Sequence, residues 1–332
     1  MTGKELFQAI INGSGNRAGF WHGDPNPASA EKLFAYFGVN NDIELGLKLG
    51  SHCRWVRPES NNFWKTPPML NFHSVKNPAR PVFADTEDAA EIDAYQWPDP
   101  KNADFTETLA AIDKAVNDGQ AVLSGTWSCF FHTACDFFGM QNLFLKMHEY
   151  PEVVDAVMRH TVDFYLAANE ILFRAAGNKI DALFFGNDFG TQLDLLISPE
   201  SFDRFIMPYF REFTEQAHRY GHSVVLHSCG AIDRVIPQFI EAGVDILHPI
   251  QAKARNMDAE FLAKKYRGKI VFMGGVDTQQ LLPFMKPADV RAEVMRLKDI
   301  FGPNYIISPS HESILPDVPP ENIAALAAAA AE

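Results

Sequence analysis

Four cysteines, at positions 53, 129, 135 and 229 of a 332-residue chain, are too few and too scattered for a disulfide framework, and none sits in the CxxC spacing of a redox pair. The thiols are expected to be reduced, and Cys129 and Cys135, set among phenylalanines, read as buried structural groups. No apolar run reaches the length of a membrane-spanning helix, and the opening Met-Thr-Gly-Lys-Glu lacks the apolar stretch of a signal peptide. A soluble, cytoplasmic protein is expected. Positive charge is also scarce: 29 Lys and Arg against 42 Asp and Glu give a formal net charge of −13, with no basic run. A surface that tracks nucleic-acid phosphates is thereby excluded, and a small-molecule partner fits better.

What the chain has is apolar residues, 47% of the total with 27 phenylalanines, enough for a large buried core. Its length is one that α/β barrels reach as a single domain. From about residue 105, short apolar runs alternate with amphipathic stretches, the rhythm of repeated β-α units. The runs Ala121–Gly125, Ala182–Gly186, Ser223–His227, Ile246–Pro249, Ile270–Gly274 and Tyr305–Ser308 predict strands. Weaker signals at Trp55–Val56 and Leu70–His73 would bring the count to the eight that close a barrel. Helices are predicted over Pro151–Ala175, over Pro199–Tyr220 with Ser198 as N-cap, from about Ile232 to Gly243, and along the Ala-rich tail from Ala324 to Ala331. Residues 1–105, rich in Pro, Asn and Trp early on, read as an N-terminal cap with the first barrel elements, so that 1–332 form one barrel domain.

Barrel active sites form at the C-terminal ends of the strands, and polar residues crowd there. Val224-Val225-Leu226-His227-Ser228-Cys229-Gly230 puts an imidazole and a thiol on one face of a strand end, because side chains alternate across a strand. Zinc accepts both donor types, and three protein ligands with an open position make a catalytic site; the alternative is a capped core histidine beside a buried thiol. Asn187 and Asp188 follow the strand at 182, and Asp188 suits a metal ligand, a general base, a substrate anchor or a loop cap. His248 and Gln251 follow the strand at 246, as substrate or metal contacts or as loop filling. Asp277, after a Gly-Gly pair, suits substrate contact or the N-cap of a helix near Thr278. His311 and Glu312 follow the last strand, with His311 the expected third metal donor, and Trp127 reads as a pocket wall. His52 and Cys53 are adjacent on an extended segment, point to opposite faces and cannot share an ion. His22, His132, His148, His160, His218 and His222 show no special spacing and read as surface or helix positions.

Several phrases together carry a resemblance: Phe185-Gly186-Asn187-Asp188-Phe189-Gly190, Ile197-Ser198-Pro199-Glu200, Leu226-His227-Ser228-Cys229-Gly230, Met273-Gly274-Gly275-Val276-Asp277, Ser308-Pro309-Ser310-His311 and Pro316-Asp317-Val318-Pro319-Pro320-Glu321-Asn322. The chain resembles the uroporphyrinogen decarboxylase superfamily, which implies a (β/α)8 TIM barrel and, by family habit, a homodimer. That superfamily holds metal-independent porphyrinogen decarboxylases and zinc methyltransferases that work with corrinoid proteins. The decarboxylases carry an arginine-bearing segment where this chain reads Gly19-Phe20-Trp21-His22-Gly23-Asp24, and an aspartate near what is here Leu49-Gly50-Ser51-His52. Both features are missing. In the methyltransferases the His-x-Cys pair binds zinc with a later cysteine, which falls near His311 here.

The resemblance therefore implies zinc on His227, Cys229 and His311, and methyl transfer between a small methylated substrate or a thiol and a corrinoid carried by a partner protein. Asp188 and His311 are the expected catalytic groups; Trp127, Asn187, His248, Gln251 and Asp277 are the expected substrate contacts. A metal-independent decarboxylase or lyase using His311 and Asp188 is the second reading. A non-catalytic tetrapyrrole or corrinoid binder is the third.

Overall fold

Eight short strands, each followed by helical connections, run parallel: β1 (Gly19–Phe20), β2 (Cys53–Val56), β3 (Ala121–Ser124), β4 (Ala182–Gly186), β5 (Ser223–His227), β6 (Ile246–His248), β7 (Val271–Val276) and β8 (Tyr305–Pro309). The structure is a computed structural model, and it describes residues 1–58 and 81–332. The strands neighbour one another in the order β1-β8-β7-β6-β5-β4-β3-β2, the arrangement of a nearly closed (β/α)8 TIM barrel. At the seam between β1 and β2, side chains share the closing bonds with backbone. The Phe20 N–H donates to His52 Nδ1 at 2.9 Å, the His22 N–H donates to Ser51 Oγ at 3.1 Å, and the His52 N–H returns to the Phe20 carbonyl at 2.8 Å.

Alternation along each strand sorts the apolar residues into two cores. Cys53, Leu123, Phe184, Val225, Ile246, Met273 and Ile306 pack with one another inside the barrel. Their neighbours Val122, Leu183, Phe185, Leu226, Leu247, Phe272 and Ile307 face outward into the helical layer. The N-terminal helix Gly3–Ile11, opened by a Thr2/Glu5 capping box, sends Leu6, Phe7 and Ile10 into the inner cluster and plugs the barrel at the end opposite the site. No helix among the described residues is long and apolar enough to cross a membrane.

Three expectations are revised. The eighth strand is Gly19–Phe20; Leu70–His73 lies outside the described residues. The helix expected over Pro199–Tyr220 is two, Pro199–Phe205 and Met207–Arg219, separated at Ile206 (φ −110, ψ −55) where Pro208 has no N–H to continue the ladder. The helix after β5 starts at Ile236 rather than Ile232 and ends at Glu241, with Gly243 turning the chain at φ 89. Helix Pro151–Ala176 forms where the sequence placed it, and the C-terminal helix contains the expected Ala324–Ala331 but begins earlier, at Pro320.

Candidate metal centre

Strand register brings the site together. Gly186 on β4 pairs with His227 on β5, and His227 pairs with His248 on β6, so both imidazoles face the barrel interior side by side at the strand ends. The glycine at 186 leaves the adjacent space to Trp127, whose ring centroid lies 5.4 Å from that of His227. Each ring nitrogen of His227 then meets its own set of donors. Nε2 lies 3.3 Å from Asp188 Oδ1 and 3.5 Å from Cys229 Sγ. Nδ1 lies 3.1 Å from His248 Nδ1 and 3.3 Å from Glu312 Oε2. Among the described residues, Asp188–His227–Cys229 and His227–His248–Glu312 are two groups whose ligand atoms fall within 4.8 Å of one another.

The first set is braced by backbone. The Cys229 N–H donates to Asp188 Oδ1 at 2.8 Å, the Asp188 N–H to His132 Nε2 at 3.2 Å, and the Phe189 N–H to Ser228 Oγ at 3.2 Å. The first and third of these bonds tie the loop after β4 to the loop after β5, and the second ties it to helix Phe130–Phe138. Contact between the loops is closest at Gly230, where φ is 95 and a Cβ would stand 2.2 Å from the Gly190 backbone. Only glycine fits there.

Burial acts to lower the pKa of His227, but the charges of Glu312 and Cys229 and the Asp188 contact outweigh it and hold the imidazole well above its ordinary value. Burial would raise Asp188, yet the hydrogen bond and charge of His227 and the Cys229 N–H keep this carboxyl well below the usual range. Burial raises Cys229, against the pull of His227. His248, wholly enclosed and beside a second imidazole, is driven well below its ordinary value and is neutral. Among the described residues, its buried Nε2 has no hydrogen-bond partner, and neither does the buried Glu312 Oε2.

His311 stands beside the cluster. Its ring centroid is 6.1 Å from that of His227, and it belongs to neither donor group. Nδ1 accepts from the Ser313 N–H at 3.0 Å, so in the neutral ring Nε2 carries the hydrogen and is a donor. Three expected substrate contacts act as braces. Asn187 is fully buried, with Oδ1 accepting from the Phe131 N–H at 2.9 Å and Nδ2 donating to the Ser128 carbonyl at 3.3 Å. Gln251 Oε1 accepts from the Gly230 N–H at 2.7 Å. Asp277 accepts from the Gln279 and Leu281 N–H groups at 2.9 and 3.3 Å, capping the turn before helix Leu281–Phe284.

The expectation for His52 and Cys53 stands: Cys53 faces the inner cluster while His52 turns to the β1 backbone. Other histidines read as surface or helix positions are more than that. His22 is buried against Ser51 Oγ at 2.8 Å and Asp42 at 3.2 Å, His222 is buried, and His132 meets the Asp188 backbone. Trp21 also went unrecognised as an inward residue, and its ring packs 5.5 Å from His248 and 6.0 Å from Phe184. Its signal was its place directly after an apolar pair.

The donor atoms suit zinc. A tetrahedral ion with Zn–N and Zn–O near 2.0–2.1 Å and Zn–S near 2.3 Å separates its ligand atoms by roughly 3.3–3.6 Å. The spacings of 3.3 Å from Asp188 and 3.5 Å from Cys229 to His227 Nε2 fall in that range.

The family model described as Uroporphyrinogen decarboxylase (URO-D) matches residues 70–332. Among solved structures, a methyltransferase from Methanosarcina mazei is similar with a TM-score of 0.68 at 16% identity, over 100% of this chain and 98% of that one, a likeness of fold. No curated protein matches the sequence.

Proposed function

This chain belongs to the uroporphyrinogen decarboxylase family, and from that premise we propose that it is a zinc-dependent methyltransferase working with a corrinoid protein. The observation that carries the reading is the Asp188–His227–Cys229 donor set at the C-terminal end of the barrel. The missing arginines around Gly19–Asp24 turn the reading away from porphyrinogen decarboxylation, and the fold shared with a methyltransferase agrees with it.

In this mechanism His227 Nε2, Cys229 Sγ and Asp188 Oδ1 hold the ion. Zinc so held supplies Lewis acidity to the heteroatom that gives or receives the methyl group. His311, whose Nε2–H is not used by its Ser313 contact, would donate a hydrogen bond to the heteroatom left by demethylation, which is then reprotonated from solvent. Trp127 walls the site against water beside His227. A corrinoid would be carried by a separate protein docking over the barrel mouth. A metal-free lyase reading draws on the Asp188–His227 pair, which is a complete ion pair by itself.

One measurement divides the two. Protein purified without chelator is expected to contain about one zinc per chain by elemental mass spectrometry, and Cys229→Ser is expected to lose most of it. Wild-type protein lacking stoichiometric zinc, with activity unchanged in Cys229→Ser, overturns the methyltransferase mechanism.

A further inference from the structure

His227 is shared. Each of its ring nitrogens looks into a separate group of donors: Asp188 and Cys229 on Nε2, His248 and Glu312 on Nδ1. A neutral imidazole that gives one nitrogen to a metal carries its hydrogen on the other. The ion therefore occupies one group, and the other group receives an N–H. Resting on the zinc reading above, we propose that Glu312 is the positioning residue that makes this choice: its carboxylate holds the hydrogen on His227 Nδ1 and so turns Nε2 toward Asp188 and Cys229.

Four observations converge on Glu312. Its Oε2 lies 3.3 Å from His227 Nδ1, an ion-pair contact, and among the described residues that buried oxygen has no hydrogen bond. A second nitrogen, His311 Nδ1 at 3.5 Å, already accepts the Ser313 N–H and offers no hydrogen. His248 Nδ1, at 3.1 Å from His227 Nδ1, is the competing acceptor, but a carboxylate accepting from an imidazole forms the stronger, charge-assisted bond. Finally, the Nε2 side is partly exposed at Asp188 and Cys229, as an ion with an open position requires, whereas His248 on the Nδ1 side is fully buried. The group on Nδ1 is thus the outer shell of the centre, in the carboxylate–histidine–metal pattern that fixes ligand orientation.

The test compares wild type with Glu312→Gln, which keeps the shape and removes the charge, and with Glu312→Ala. Zinc affinity is measured by competition with a chromophoric chelator, and the site is read separately from the absorption spectrum of the Co(II)-substituted protein. We expect Glu312→Gln to weaken zinc binding by about 10–100-fold, with Glu312→Ala at or beyond the upper end. The thiolate-to-cobalt charge-transfer band is expected in wild type and in both variants at saturating metal. Unaltered affinity in Glu312→Gln reduces Glu312 to packing and overturns the proposal. A wild-type spectrum without the thiolate band, with binding abolished in both variants, places the ion on Glu312 and His248; it overturns the proposal while leaving a metalloenzyme. A wild type that takes up neither zinc nor cobalt overturns this inference together with the zinc reading beneath it.

Discussion

His311 and Asp188 sit within reach of the same centre but differ in what they can give. Asp188 is held anionic and bonded to the Cys229 N–H, which suits it to a ligand's role, whereas His311 presents a hydrogen on Nε2. Their variants should separate accordingly. Asp188→Asn is expected to weaken zinc binding measurably, by chelator competition, with the fold retained. His311→Ala is expected to keep its zinc and lose turnover by about 10²–10³-fold, the range for a removed hydrogen-bond donor to developing charge; zinc loss in this variant returns His311 to the ligand set. At this scale the sequence was legible where alternation along one strand was enough, as for His227 and Cys229. It was silent on which residue would stand opposite, because the His227–His248 pairing depends on the register between β5 and β6. Asn187, Gln251 and Asp277 bond to loop backbone, a use the sequence does not separate from ligand contact, because a polar side chain after a strand serves either.

Loops and strand ends hold the centre more than any single residue does. The loops after β4 and β5 touch backbone to backbone at Gly190 and Gly230, and this contact sets the distance between Asp188 and Cys229. Gly230→Ala is expected to cost about 1–3 kcal/mol, seen as a lowered denaturation midpoint, because the backbone there is left-handed and has no room for a Cβ. Zinc affinity should fall with it; a variant of wild-type stability and affinity would show that the loops part freely. Six strands were readable as apolar runs, since each is enclosed on both faces and has no polar alternation to blur it. Strand β1 was not, because Gly19–Phe20 is only two residues long and its identity comes from pairing with β8. The break at Ile206 was equally hidden, as a proline near the start of a second helix looks in sequence like one inside a single longer helix.

Across the whole molecule the barrel is regular except at its seam, and the seam contains a titratable acceptor. Burial first, and the nearby Arg17 charge second, depress His52 from 6.5 to about 4. The unfolded chain binds a proton near 6.5 while the folded chain resists it down to about 4. The contribution is therefore fully present above about pH 6.5 and is lost as the pH falls through 4. Denaturation midpoints measured from pH 7.5 to 3.5 should fall across that window, and His52→Asn, which does not titrate, should flatten this part of the curve. Parallel curves for the two proteins would remove His52 from the account.

The same seam bears on how the chain comes to be folded. Strand β1 lies at residues 19–20, yet its ladder partner is β8 at residues 305–309, and the Gly15 N–H is held by the Asn304 side chain. During synthesis the first strand leaves the ribosome long before the segment that will pair with it. Until then its backbone is satisfied by water or by the His52 region alone. The helix Gly3–Ile11 has its neighbours on β3 much earlier, so the plug can be seated while the barrel is still an open sheet. Ring closure is then a late event joining the two ends of the chain, and a nascent chain halted before residue 305 should expose the β1 edge to proteases that spare the finished protein.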